Sequence, residues 1–352
     1  MTSSIEELVA DWDGEALVSH HERDTDTWMF IGIHSTKLGP ASGGTRLRVY
    51  PSPPDAVHDV LRLAEGMTLK CAAAGLPSGG GKAVLAVPEL PTGRARRALL
   101  LHYARLIESL HGTYRTGPDM NTTGADMDVL GEVTNYVFGR SKAFGGAGNS
   151  APDTAVGVRY GIWASVEHVF GSPDLTGRTV LVQGAGGVGA VLVRLLVEDG
   201  AKVLVADLDP TRVAEMERQF GAVPVEPDQV IGTECDVFAP CAAGEVLSEA
   251  TIPALRCRVV AGAANNQLAT PDDAERLRAA GVLYAPDFVI NSGGALHLIG
   301  QEMCGWDSAT LAERLVGIGS TLTEIYRHAD AEGSTTEAAA EAIARARLTA
   351  VT

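Results

Sequence analysis

Arg178-Thr-Val-Leu-Val-Gln-Gly184-Ala-Gly186-Gly187-Val188-Gly189 and, after a helix-like run to about Glu198, Lys202-Val-Leu-Val-Ala-Asp207 decide the fold. The first apolar run reads as a buried parallel strand, and the glycines after it open a helix. Gly184 permits a tight turn, Gly186 lets the backbone approach a pyrophosphate at the positive helix end, and Gly189 allows the helix to pack closely on the strand. The whole loop, Gly187 and Val188 included, is therefore a candidate cofactor site. Asp207 ends the next strand 23 positions after Gly184. There its carboxylate would hydrogen-bond the hydroxyls of an adenosine ribose and repel a 2′-phosphate, which favours NAD over NADP. A lone Gly-x-Gly-x-x-Gly is weak evidence, and a ligand-free glycine turn is its alternative. The strand before it, the helix after it and the acidic residue beyond make it specific.

Downstream, strand-like runs recur at Asp236-Val-Phe-Ala, Arg258-Val-Val-Ala and Val282-Leu-Tyr-Ala, with an amphipathic helix near Pro271 to Ala280. This half is expected to be a doubly wound parallel sheet that binds ligands at the carboxyl ends of its strands. The loops on that edge are rich in small and amide residues: Pro240-Cys241-Ala242-Ala-Gly, Gly262-Ala-Ala-Asn265-Asn266-Gln and Asn291-Ser292-Gly293-Gly. Cys241 and Ala242 are expected to face the dinucleotide. The amides of Asn265, Asn266 and Asn291 suit either the orientation of a carboxylate or carboxamide, or simple turns. Helices from about 308 to 328 and 335 to 350 close the chain.

Upstream, Gly66-Met67-Thr-Leu-Lys70 ends a helix-like run, and Pro77-Ser-Gly79-Gly80-Gly81-Lys82 opens the apolar strand Ala83-Val-Leu-Ala-Val. Lysine is seldom buried without a partner or a purpose. Two ammonium groups in an apolar cleft depress each other's pKa, as desolvation does separately, from about 10.4 toward the roughly 7 to 8 of a catalytic base. In the alternative, Lys82 snorkels from a strand end and Gly79 to Gly81 form a flexible turn. Strand-like runs at Trp28–His34 and Thr45–Tyr50 flank Gly39-Pro-Ala-Ser-Gly43-Gly44, glycines that either shape a turn or admit a ligand close to the backbone. A second helix covers about Arg94 to Leu110. Thr113-Tyr-Arg-Thr-Gly117-Pro118-Asp119 then presents Asp119 at the end of a short strand, while Thr123 and Asp126 better suit the capping of the next helix. The glycine-rich link Gly139 to Ser150 reads as a boundary and hinge between a catalytic domain, 1–145, and a dinucleotide domain, 146–329. The last helix, about 330–352, is expected to pack back on the first domain.

A chain of 352 residues with 45% hydrophobic and 20% charged content suits two packed globular domains. Its net charge of −16 argues against nucleic acid or an anionic membrane as partner. No basic and apolar leader and no bilayer-length apolar stretch is visible, so a cytoplasmic address is expected. The five cysteines are scattered in apolar surroundings, as reduced core thiols are, and the nine histidines are dispersed. No metal is expected.

Gly66-Met-Thr-Leu-Lys70, Pro77-Ser-Gly-Gly-Gly-Lys82, Gly117-Pro-Asp119-Met-Asn-Thr, Thr154-Ala-Val-Gly-Val, Gly184-Ala-Gly-Gly-Val-Gly and Gly262-Ala-Ala-Asn-Asn-Gln together resemble the amino acid dehydrogenase superfamily of glutamate, leucine, valine and phenylalanine dehydrogenases. The order and spacing hold from about Asp13 to Leu348. Thr116-Gly-Pro-Asp-Met-Asn-Thr and Asn291-Ser-Gly-Gly-Ala-Leu-His-Leu-Ile-Gly are most similar to the actinobacterial phenylalanine dehydrogenases, with Ser292 standing where alanine is expected.

The resemblance implies an N-terminal α/β substrate and oligomerisation domain, a Rossmann-type doubly wound NAD domain, a cleft between them and a homo-oligomer. It implies that Lys70, with Asn266 and a backbone N–H near Gly43 and Gly44, holds a substrate α-carboxylate. Lys82, kept neutral by Lys70 and desolvation, would activate water, and Asp119 would exchange protons with the amino group. Thr154 and Asn265 would fix the nicotinamide carboxamide. A side-chain pocket of Met67, Pro118, Ser292, Gly293 and Leu296 offers no lysine to a glutamate side chain, so an apolar L-amino acid is expected. L-phenylalanine, converted to its 2-oxo acid and ammonia, comes first. A leucine or valine dehydrogenase is the runner-up, and a catalytically silent NAD-binding sensor is the alternative from another class.

Overall fold

A computed structural model describes residues 4–242 and 244–350, and the chain divides into two compact units. The first holds the chain up to Asn149, Leu298–Trp306 and the segment from Ala344; the second holds Ser150–His297 and Asp307–Ile343.

In the first unit α1 (Ile5–Ala10) precedes β1 (Ala16–Glu22), β2 (Thr27–Ser35), β3 (Ala41–Arg48), α2 (Pro53–Ala73), β4 (Gly79–Ala86), α3 (Gly93–Glu108), β5 (Tyr114–Pro118) and α4 (Gly124–Leu130). The five strands form one sheet in the order β1-β2-β4-β3-β5. β2 runs antiparallel to β1 and β4, whereas β3 is parallel to both β4 and β5. Strand side chains alternate between the faces, so Met29, Ile31, Ile33 and Leu85 pack under Leu99, Leu100, Tyr103 and Ile107 of α3. Phe30 and Val84 meet Val57, Val60 and Leu61 of α2 on the other face. Each such side chain contributes about 1.5–3 kcal/mol by leaving water.

The triple glycine is neither a turn nor a prelude to the strand: β4 begins at Gly79. A Cβ on Gly80 would stand 2.1 Å from the Thr68 backbone nitrogen, and one on Gly43 would stand 1.7 Å from the Gly81 carbonyl oxygen. Helix α2 and strand β3 therefore meet β4 backbone to backbone. Gly43 and Gly44 also lie within a strand, paired with Thr116 and Gly117 of β5. Strand β1, which the sequence reading passes over, is a partly exposed edge whose apolar alternation is weak. Thr123 and Asp126 form a reciprocal capping box on α4, as their spacing predicts.

The second unit begins with α5 (Ala151–Phe170) and continues through β6 (Thr179–Gln183), α6 (Gly187–Glu198), β7 (Lys202–Ala206), α7 (Pro210–Phe220), β8 (Val223–Pro224), β9 (Val237–Pro240), β10 (Val259–Val260), α8 (Asp272–Ala279), β11 (Leu283–Tyr284) and α9 (Asp287–Ile290). Its strands are all parallel, in the order β11-β10-β9-β6-β7-β8. Strand order reverses beside β6, and in open α/β sheets ligands sit beyond the strand ends at such a switch point. Helix α7 and strand β8 are additions to the sequence reading. Asn291-Ser-Gly-Gly, read there as a loop after a strand, instead joins α9 to α10 (Gly293–Glu302). Helices α11 (Ser308–Glu332) and α12 (Thr336–Thr349) complete the chain.

Candidate active site

In the first unit, a Cβ on Gly44 would lie 2.5 Å from the Pro118 carbonyl oxygen and 2.8 Å from Asp119 Cβ, and one on Gly43 would lie 3.3 Å from Met67 Cγ. The absence of side chains at Gly43 and Gly44 of β3 thus lets the end of β5 close in. Gly43, Gly44, Met67, Pro118 and Asp119 come together beside Lys82 of β4. Lys70 follows Met67 by three residues on α2, the spacing that shares a helix face.

Lys82 Nζ donates to Asp119 Oδ1 at 2.9 Å, and Arg46 Nε donates to Asp119 Oδ2 at 2.9 Å. Arg46 Nη1 also donates to Asp59 Oδ2 at 2.9 Å, where the Tyr50 hydroxyl donates at 2.6 Å and Arg62 reaches Oδ1 at 3.0 Å. Positive and negative groups alternate along this chain, which offsets the cost of burying them. The Lys82 side chain is only 7% exposed and that of Arg46 11%. Burial alone would raise the pKa of Asp119, but the charges of Lys82 and Arg46 hold it well below the usual carboxylate range. The hydrogen-bond partner of Lys82 is thus a carboxylate, whereas the sequence reading sets it against a second lysine.

The backbone under Asp119 is fixed by its own loop. Thr122 Oγ1 accepts from the Asp119 N–H at 2.8 Å and donates to the Thr45 carbonyl at 2.7 Å. Asn121 stands at a φ of 59°, a left-handed conformation that asparagine tolerates. Its carbonyl accepts from Arg96 at 2.6 Å, and Arg96 also grips Asp126. Beneath lies a buried hydroxyl cluster in which Thr45 Oγ1 meets the Tyr103 hydroxyl at 2.7 Å and Thr116 Oγ1 at 2.6 Å, while the Tyr114 hydroxyl donates to the Gly43 carbonyl at 2.8 Å. Burial pushes the Tyr103 hydroxyl up to about 12, so it serves as a neutral hydrogen-bonding group.

Sequence reasoning missed Arg46. The alternation Thr45-Arg-Leu-Arg looks like a half-exposed strand, and only Asp59 on the sheet-facing side of α2 shows that Arg46 is covered. An acidic residue among the apolar positions of α2 was the available signal.

In the second unit, Gly184 has a φ of 100°, and a Cβ there would lie 2.7 Å from that of Ala242. A Cβ on Gly189 would lie 1.8 Å from the Gly184 carbonyl oxygen and 3.5 Å from Cys241 Cβ. At Gly186 the nearest such atom is Arg212 Nη1, at 3.9 Å. The loop is therefore closed where it packs and open where a phosphate would approach the N-terminus of α6. Asp207 accepts from the Ala185 N–H at 2.7 Å and the Asp209 N–H at 2.9 Å. Each carboxylate oxygen keeps a second lone pair for a ribose hydroxyl. Open backbone at Gly186, closed turns at Gly184 and Gly189, and a positioned carboxylate fit a dinucleotide.

Thr154 Oγ1 donates to the Ser150 carbonyl at 2.9 Å. Gly293 packs against the same helix start, where its Cβ would lie 2.9 Å from Thr154 Cα. Asn291 Nδ2 donates to Asn265 Oδ1 at 2.7 Å, and Asn266 takes a φ of 50°. The Ser292 hydroxyl is buried and donates to the Val289 carbonyl at 2.7 Å, which commits it to its own turn. Leu296 is fully buried as well. Burial pushes the thiols of Cys71 and Cys235 up to about 12 and those of Cys241 and Cys257 to about 11, well above nucleophilic range. Asp13, His34 and Glu65 bring three candidate metal-ligand atoms within 4.8 Å of one another. They also bond internally: His34 meets Asp13 and Thr68 at 2.9 Å, and Glu65 meets Arg345 at 3.2 Å. Among the described residues no helix is long and apolar enough to cross a membrane.

The dimerisation domain of Glu/Leu/Phe/Val dehydrogenases matches residues 20–140, and the glutamate/leucine/phenylalanine/valine dehydrogenase domain matches residues 206–351. The chain is 40% identical to a leucine dehydrogenase of Geobacillus stearothermophilus over 96% of its own length and 91% of the relative's. It is 41% identical to an L-tryptophan dehydrogenase of Nostoc punctiforme over 97% of its own length and 95% of the relative's. A phenylalanine dehydrogenase of Bacillus thermotolerans is 37% identical over 96% of this chain and 88% of the relative. The crystal structure of L-tryptophan dehydrogenase from Nostoc punctiforme superposes with a TM-score of 0.86 at 38% identity, covering 98% of this chain and 99% of that one. The chain belongs to the glutamate/leucine/phenylalanine/valine dehydrogenase family.

Proposed function

We propose that the protein catalyses the NAD-dependent, reversible oxidative deamination of an apolar L-amino acid to its 2-oxo acid and ammonia. The buried Lys82–Asp119 pair, backed by Arg46 and set where Gly43 and Gly44 let the backbones of β3, β4 and β5 close together, carries the reading. NAD would supply the acceptor for the hydride that leaves the substrate Cα. Gly184, Gly186, Gly187, Val188 and Gly189 would hold its pyrophosphate and Asp207 its ribose. Cys241 and Ala242 would flank it, with Thr154 and Asn265 at the carboxamide.

Lys70, Asn266 and a backbone N–H near Gly43 and Gly44 would hold the substrate carboxylate. The substrate amine would displace Lys82 from Asp119 Oδ1 and pass its proton to that oxygen. Lys82 would then take a proton from the water that attacks the imine carbon; Asp119 would return its proton to the nitrogen and accept the proton of the new hydroxyl as the C–N bond breaks, releasing ammonia and the 2-oxo acid. To accept the proton from water Lys82 must act as a neutral amine, so turnover in the deaminating direction should rise toward alkaline pH.

Within the apolar class, the Thr116–Thr122 signature favours L-phenylalanine. The leucine and tryptophan dehydrogenases among the relatives support a branched-chain or an indole side chain equally. NADH formation at alkaline pH with phenylalanine, tyrosine, tryptophan, leucine, valine and glutamate decides among them. Turnover with glutamate alone would defeat the apolar assignment, and NAD binding without turnover on any of them would favour the silent sensor. Self-association through the first unit belongs to the same proposal and is supported by the match to a dimerisation domain. Light scattering on the eluting protein tests it.

A further inference from the structure

We infer that Arg46 is a positioning residue for this reaction: it pins one oxygen of Asp119, so that the other faces Lys82 and the substrate amine as an ionised proton acceptor. The inference rests on the proposed function and goes beyond it by assigning separate tasks to the two carboxylate oxygens. Arg46 Nε holds Oδ2 and Lys82 Nζ holds Oδ1, each at 2.9 Å. A lysine is a mobile point charge that a substrate amine can displace. A guanidinium held at two positions is not. The second anchor of Arg46 is Asp59, itself fixed by the Tyr50 hydroxyl and Arg62. When Lys82 swings away, Asp119 would keep one cationic partner and its orientation.

The charged and titratable groups around this carboxylate are Lys82 on β4, Arg46 on β3 and Tyr114 on β5, with Asp59 and Arg62 of α2 and Tyr50 around Arg46. Removing the Arg46 charge should raise the proton affinity of Asp119. The acidic limb of the kcat profile then moves to higher pH by about one unit or more, the usual effect of losing a neighbouring opposite charge.

The test compares wild type with Arg46→Gln, Arg46→Lys and the charge-balanced double variant Arg46→Gln/Asp59→Asn, which keeps the experiment alive if the single variant leaves Asp59 unpaired and unfolds. Turnover is followed from pH 6 to 11 with the best apolar L-amino acid and NAD. A fall in kcat on the order of 100-fold, an upward shift of the acidic limb, an unchanged KM for NAD and partial recovery in Arg46→Lys support the assignment. Turnover within threefold of wild type and an unmoved limb in the Gln variants overturn it. A second arm needs no turnover: the change in Tm on Asp119→Asn is measured between pH 3 and 7 with Arg46 present and with Gln in its place. The carboxylate's contribution should persist to lower pH when Arg46 is present. Identical pH profiles in the two backgrounds defeat the inference even if no substrate is found, whereas different profiles without turnover would defeat only the functional reading.

Discussion

The cluster around Asp119 and the loop around Gly186 are both built on glycines, but the glycines do opposite things. In the first unit Gly43 and Gly80 remove side chains so that backbones can touch, and the proposed reactive groups are the charged side chains Lys82 and Asp119, with Arg46 behind them. In the second unit Gly184 and Gly189 close a turn around Gly186, which faces open space, and the proposed binding groups are backbone N–H donors at a helix start. Glycine is a packing requirement in one place and an access requirement in the other. The two sites should therefore fail differently when disturbed.

The largest difference is expected in turnover. Lys82→Ala and Asp119→Asn should each lower kcat by about 10²- to 10⁴-fold. NAD titrated by nucleotide fluorescence should bind both variants as it binds wild type. Loss of NAD affinity in either one would mean that the two sites are not separate in function.

The glycines sharpen the contrast. In Gly80→Ala the new methyl meets the Thr68 backbone, so α2 must move off β4, which should destabilise the first unit by about 3 kcal/mol or roughly 6–12 °C in Tm. Gly186→Ala meets no protein atom closer than 3.9 Å and should leave Tm within about 1 °C while weakening NAD binding. Calorimetry and nucleotide titration on the two variants would break the comparison if the effects were reversed.

Cofactor choice should respond more modestly. Asp207→Ser removes the carboxylate that would repel a 2′-phosphate, and the ratio of kcat/KM for NADP over NAD should rise about tenfold. An unchanged ratio would mean that the ribose contact lies elsewhere.

The smallest expected effect lies in the acid dependence of stability. Asp119 titrates in the folded chain well below its unfolded value of about 3.9. Its contribution is therefore complete above that value and is lost as pH falls through the lower folded pKa. Tm should decline below about pH 4, and the decline should be shallower in Asp119→Asn. Parallel curves would show that other carboxylates, such as Asp59 and Asp126, carry the loss.

What was legible in the sequence follows from how each site is made. The Gly184–Asp207 loop uses residues close in the chain, so spacing alone exposes the strand, the turn, the helix and the acid. Lys82 and Asp119 were legible as unusual residues at strand positions, but their partnership was not. They are 37 positions apart, and their meeting depends on β3 lying between β4 and β5. Ser292 shows the converse: it looked like a substituent of the substrate pocket, yet its hydroxyl is used within its own turn.

By itself the sequence determined most of the longer elements, the parallel dinucleotide sheet and the candidate reactive groups Lys82 and Asp119, because hydrophobic period and short-range spacing encode them locally. Tertiary structure alone decided that Asp119 sits between a lysine and an arginine, that Asp59 closes over Arg46, and that three consecutive glycines form a strand. Those facts depend on which backbones approach one another across the sheet, and the required distances are set by packing between segments far apart in the chain.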